Sequence, residues 1–165
     1  MDDIRVQRDD FSVADEYQQL CQDNRDDGAV VFFVGRVREQ NQGDTISRLF
    51  LEHYPGMTER ALADIVAAAR KRWSLGRVRL IHRIGALDIE DQIIFIGVSS
   101  GHRQNAFDAA AYIMDFLKSQ APFWKKETLI GPTGETLSER WVDTRSSDTQ
   151  ARQKWDNPAT PDSLP

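Results

Sequence analysis

Residues 92–127 read QIIFIGVSSGHRQNAFDAAAYIMDFLKSQAPFWKKE. Ile93 to Val98 form a β-branched and aromatic run that stops at Ser99-Ser100-Gly101, the composition of a buried strand ending in a turn. From about Arg103 to Ser119 the period changes, and Phe107, Ala110, Ala111, Met114 and Leu117 recur at helical spacing. Lys118 follows Met114 by four residues and Ala111 by seven, which puts it on the same face, its ammonium at the mouth of any pocket there. Pro122-Phe123-Trp124 then turns the chain straight into Lys125 and Lys126.

The junction Ser99 to Arg103 joins strand to helix. Free N–H groups and the positive end of the helix dipole favour an anion there, and Arg103 can clamp a phosphate bidentately. The alternative is that Ser100 caps the helix while His102 and Arg103 face solvent.

Working outward, residues 12–23 predict a short helix with Ser12 as N-cap, and residues 29–38 (AVVFFVGRVR) a strand buried on both faces. A second strand is expected over 45–54. Pro55-Gly56 breaks it, and Thr58 is the candidate cap of a helix running to Trp73, with Leu62, Ile65, Val66, Ala69 and Trp73 on its apolar face. Residues 77–85 alternate as a further strand, and 128–140 predict a hairpin or loop, with an edge strand at Trp141-Val142. The order ββαββα after a leading helix indicates an α+β fold, helices on one side of a mainly antiparallel sheet. Residues 1–145 are expected to form a single domain. The polar segment 146–165 reads as a loose or partner-dependent tail.

Composition limits the possibilities. Cys21 is the only cysteine, so no internal disulfide or CxxC metal or redox site is available. Three scattered histidines, His53, His82 and His102, show no ligand spacing, and no metal or other cofactor is expected. The start of the chain is acidic, without an apolar run, and no later stretch could span a membrane, which implies a soluble, cytoplasmic protein. Residues 1–27 carry nine acids against three arginines, and net charge is −5. A basic centre on an acidic protein suits a small anion better than nucleic acid, whose binders usually carry a basic balance overall. Arg36 and Arg38 close the first strand beside a polar loop and are further anion ligands by position, with edge decoration the simpler reading for Arg36. His53 and His82 read as packed or surface residues. No GxSxG, P-loop or GxGxxG occurs.

At these residues the chain resembles the large, catalytic subunit of molybdopterin synthase, over about residues 11–145. The resemblance rests on FxGxVR (Phe33–Arg38), LEHYPGMTERAL (Leu51–Leu62), RWxLGRVxxIHRIG (Arg72–Gly85), VSSGHRxxAF (Val98–Phe107), MDFLKxxAPFWKKE (Met114–Glu127) and RWV (Arg140–Val142). It implies an α/β-hammerhead fold. It also implies conversion of cyclic pyranopterin monophosphate (precursor Z) to molybdopterin, with sulfur brought as the C-terminal thiocarboxylate of a small ubiquitin-like subunit. Two large subunits would form the centre of a heterotetramer. Lys118 and Lys125 match the family's essential lysines, and Arg38, His102, Arg103 and Arg145 its basic pocket positions. Phe33 and Met114 would line the wall. Such chemistry needs stabilised negative charge, a proton donor or base, and a pinned phosphate, which lysines and arginines supply. No cysteine is needed, because the sulfur is imported. The competing reading is a non-catalytic module that binds a partner's C-terminal tail or an anionic ligand.

Overall fold

The computed structural model describes residues 2–142 and 146–156. In chain order the elements are β1 (Asp3–Gln7), α1 (Val13–Cys21), β2 (Ala29–Arg36), β3 (Gln40–Asn41), β4 (Asp44–His53), α2 (Met57–Arg72) and β5 (Val78–Arg83). There follow β6 (Gly85–Asp88), β7 (Gln92–Ser100), α3 (Arg103–Gln120), β8 (Phe123–Ile130), β9 (Thr136–Val142) and α4 (Ser146–Gln153). The first sheet runs β1-β5-β7-β2, parallel at β1–β5 and otherwise antiparallel. The second runs β3-β4-β8-β9, all antiparallel, with β6 also paired to β4. The fold is α+β, as expected, but built on two sheets.

β7 organises the core because both its faces are buried. Ile94, Ile96 and Val98 meet α2 and α3 through Leu62, Ile65, Val66, Ala109 and Ile113. Phe95 points the other way, into a cluster with Phe11, Leu20 and Ile81. The expectation of helices on one side therefore holds for α2 and α3 and is corrected for α1, whose Leu20 fills the opposite face. Ser12 caps α1 by accepting the Asp15 N–H at 3.3 Å. α2 starts at Gly56, whose φ of 82° suits glycine, and the Glu59 carboxylate accepts the Gly56 N–H at 2.7 Å.

Several local expectations shift. The buried stripe of α3 is Ala106, Ala109, Ala110, Ile113 and Leu117, so Phe107 is exposed and Met114 lies at the stripe's margin. Alanines let the helix approach the sheet closely, and that selects the narrow face over the bulkier one. β2 is an edge strand rather than a doubly buried one, which leaves Phe32 and Phe33 each 43% exposed. β1 escapes the sequence reading because its alternation is short and flanked by acids; its backbone bonds to β5 supply the stabilisation. β6 separates from β5 at Gly85, where φ is 86°.

The polar stretch after residue 145 is not loose throughout. Residues 146–153 form α4, and Trp155 packs edge-on against Trp73 and Tyr112 with centroids 5.6 and 5.5 Å away. Its indole N–H donates to Asp115 at 2.8 Å, a single large anchor that periodicity cannot reveal. The arginines between residues 70 and 83 are used internally. Arg70 pairs with Asp2, Arg77 donates to the Gln19 and Gln22 carbonyls, and Arg79 pairs with Glu16. Among the described residues no helix is long and apolar enough to cross a membrane.

Candidate active site

A cleft of about 640 Å³ opens where the end of β2, the C-terminal turn of α3 and the inner face of β8 converge. Its size is that of a small-molecule site. Alternation along β8 decides which basic groups reach it. Phe123, Lys125 and Glu127 face the cleft, whereas Trp124 and Lys126 point to the other side of the sheet. Lys126 lies over the Phe50 and Trp141 rings and pairs with Glu139 at 3.5 Å. Lys118, in the last turn of α3, enters the same cleft beside Met114, because the chain reverses at Ala121-Pro122 and brings β8 back past the helix end. Its Nζ lies 3.7 Å from Asp148 of α4, which also lines the cleft.

Phe33 and Arg38 form the opposite wall. The β2–β7 register slips between Gly35 and Arg36, and the strand ends there, so Arg38 is carried on the following loop. Arg36 also borders the cleft, with its Nε donating to the Glu90 carbonyl at 3.0 Å. Arg38 donates to Asn41 Oδ1 at 3.4 Å, a long contact that leaves the guanidinium largely available to an anion.

Behind these groups runs a polar ladder that the motifs did not single out. Asn41 is buried and donates its amide N–H to Glu127, which is 2% exposed. Glu127 also accepts from Arg140 Nε and Nη2 at 3.2 and 3.1 Å, and Arg140 Nη1 reaches Asp44 at 2.7 Å. One buried carboxylate thus ties β3, β8 and β9 together beneath the lysines. The sequence signal was an acid among hydrophobic and basic residues in a strand, legible only once the alternation of β8 is known.

His82, on β5, lines the cleft as well. It is a packed histidine, as expected, stacked on Phe123 with centroids 3.8 Å apart. Burial lowers its pKa to about 4 against the opposing pull of the Arg83 carbonyl, and the charges of His53 and Lys125 add smaller lowering contributions. The imidazole is therefore neutral near pH 7.

The remaining basic candidates lie elsewhere. His102 and Arg103 are exposed at the start of α3, about 23 Å along the helix axis from Lys118 at 1.5 Å per residue, and do not line this cleft. Ser100 Oγ accepts the His102 N–H at 3.2 Å. Arg145 lies outside the described residues. Among the described residues no group of three or more His, Cys, Asp or Glu side chains is placed to hold a metal ion.

Known proteins share both the sequence and the fold of this chain. The family model described as MoaE protein matches residues 6–120. The molybdopterin synthase catalytic subunit of Vibrio cholerae is 54% identical over 153 residues, covering 93% of this chain and 97% of its own. The solved structure of the molybdopterin biosynthesis MoaE protein of Burkholderia ambifaria superposes with a TM-score of 0.77 at 44% identity, covering 94% of this chain and 98% of that one. A chain in the Helicobacter pylori complex of subunits 1 and 2 of molybdopterin-converting factor shares the fold, with a TM-score of 0.62 at 18% identity, over 81% of this chain and 88% of that one. With both the matched residues and the superposed fold in agreement, the chain belongs to the MoaE family, the catalytic subunits of molybdopterin synthase that act in molybdenum cofactor biosynthesis.

Proposed function

We propose that the cleft binds precursor Z together with the thiocarboxylate tail of a small ubiquitin-like subunit, and that Lys118 and Lys125 carry the sulfur transfer that builds the dithiolene. The observation that carries this reading is the convergence of two lysines from separate elements, α3 and β8, on one cleft with Arg38 across it. Ammonium groups stabilise charge developing on a carbonyl oxygen and can pass protons, while Arg38 holds the phosphate. Phe33 and Met114 give the pterin apolar walls. The site requires no bound cofactor, because the partner imports the sulfur. The Helicobacter pylori complex supports a two-subunit assembly.

His102, Arg103 and Arg145 complete the basic set in this reading. A single chain holds His102 and Arg103 too far from its own lysines, so they serve the cleft of a second copy, with a homodimer at the centre of the heterotetramer. The assembly acts in the cytoplasm, where the lone Cys21 stays reduced. Incubation with precursor Z and thiocarboxylated small subunit, followed by assay of molybdopterin, tests the reading. Full activity after Lys118→Ala and Lys125→Ala together would overturn the lysine assignment. Mixing a Lys125→Ala chain with an Arg103→Ala chain tests the shared cleft, since each mixed dimer should regain one intact site of two, about half the activity of a wild-type dimer, if Arg103 acts across the interface.

A further inference from the structure

Asn41 lines the cleft beside Arg38, is 4% exposed, and has no part in the chemistry assigned to the lysines. A tight hairpin fixes its backbone. Asn41 pairs with Asp44 across a two-residue turn in which Gln42 and Gly43 take φ of 53° and 86°. Left-handed backbone is costly for a glutamine, and the neighbouring Gln40–Thr45 pair, joined side chain to side chain at 2.9 Å, holds the turn closed. The side chain is equally constrained. Its amide N–H donates to Glu127, whose carboxylate, paired with Arg140, only accepts. That orientation turns Oδ1 towards Arg38, which only donates and whose Nη2 stands 3.4 Å away. A flipped amide would meet an acceptor with its oxygen and a donor with its N–H groups.

We propose that Asn41 is a positioning residue for Arg38, its Oδ1 accepting from the guanidinium and so aiming the remaining N–H groups at the substrate phosphate. This role rests on the reading of Arg38 as the phosphate ligand. Arg38 is exposed on a loop, and an untethered arginine loses rotamer freedom when it grips an anion. A partner that orders the side chain beforehand reduces that loss. The backbone on either side is already pinned. The Val37 N–H donates to the Asp91 carbonyl at 2.9 Å, and the Glu39 carbonyl accepts the Ile46 N–H at 2.8 Å. A neutral amide suits the task better than a carboxylate. A carboxylate against the guanidinium would neutralise it and compete with the phosphate for its N–H groups. Asn41 passes on the orientation set by Glu127, while Arg140 balances the Glu127 charge.

A double-mutant cycle separates aiming from packing. Rates of molybdopterin synthesis are measured against precursor Z concentration, with saturating thiocarboxylated partner, for wild type, Asn41→Ala, Arg38→Ala and the pair. Asn41→Ala should raise KM about three- to tenfold, the range of one hydrogen bond, with kcat within about twofold. In the Arg38→Ala background the same substitution should move KM by less than about twofold, because no guanidinium remains to aim. Where Arg38→Ala itself raises KM, a wild-type KM in Asn41→Ala would overturn the proposal. An equal rise with and without Arg38 would overturn it too, since a merely structural residue behaves that way. The second readout needs no substrate: ¹⁵Nε relaxation of the Arg38 side chain, expected to be ordered in wild type and mobile in Asn41→Ala. If Arg38→Ala leaves KM unchanged, the reading of Arg38 as phosphate ligand fails, and relaxation still decides whether Asn41 holds it. Should Asn41→Ala not fold, the wild-type relaxation decides, since an Arg38 side chain as mobile as an unpaired surface arginine would refute the assignment.

Discussion

Glu127 and Arg140 are joined by two hydrogen bonds, 3.2 and 3.1 Å, beneath a carboxylate that is 2% exposed. Glu127→Leu would leave Arg140 with Asp44 and remove the carboxylate that accepts the Asn41 amide N–H. Arg140 is one-third exposed, so the loss should be below that of a fully buried pair, about 2 kcal/mol, with Glu127→Gln costing about half as much. Urea midpoints at constant m-value measure both.

The alternation of β8 predicts opposite outcomes for adjacent lysines. Lys125→Ala should lower molybdopterin synthesis by about a hundredfold or more, the range for removing a charge-stabilising or proton-transferring group. Lys126→Ala, on the outer face, should stay within about twofold, because only exposed cation–π contacts and a surface ion pair are lost. Steady-state rates with saturating partner check this.

Asp148 holds Lys118 at 3.7 Å and competes with an incoming anion for it. Lys118 is half exposed, so the pair is weak, and Asp148→Asn should lower KM for the anionic substrate by about two- to fourfold. The advantage should fade as ionic strength rises.

Acid sensitivity should carry the mark of His82. Its folded pKa of about 4 lies below the 6.5 of an exposed histidine, so between those values the unfolded chain binds a proton that the native chain refuses. Stability is then undiminished above pH 6.5 and falls as pH drops towards 4, by at most about 3 kcal/mol. Unfolding free energies of wild type and His82→Asn, measured against pH, should differ in slope over that window, with the variant flatter.

Much of the architecture was legible because it repeats along the chain. Ile93 to Val98, the stripe of α2 and the cap at Ser12 declare themselves within a few residues. Phe107 misled, since helical spacing alone cannot distinguish the stripe through it from the one through Ala106 and Ala109. Strands β1 and β6 stayed hidden because their stability comes from partners far off in sequence, Asp3 with Arg79 and Phe50 with Ala86.

The site divides in the same way. The resemblance carried by the ordered motifs named Lys118, Lys125, Arg38, Phe33 and Met114, and all five line one cleft. Tertiary structure decided the rest. The pairing of β8 with β4 and β9 sends Lys125 inward and Lys126 outward, and it buries Glu127 between Asn41 and Arg140. The length of α3 separates His102 and Arg103 from the lysines. Local periodicity determines which face a side chain takes within its element; only non-local strand pairing and helix length determine which faces meet.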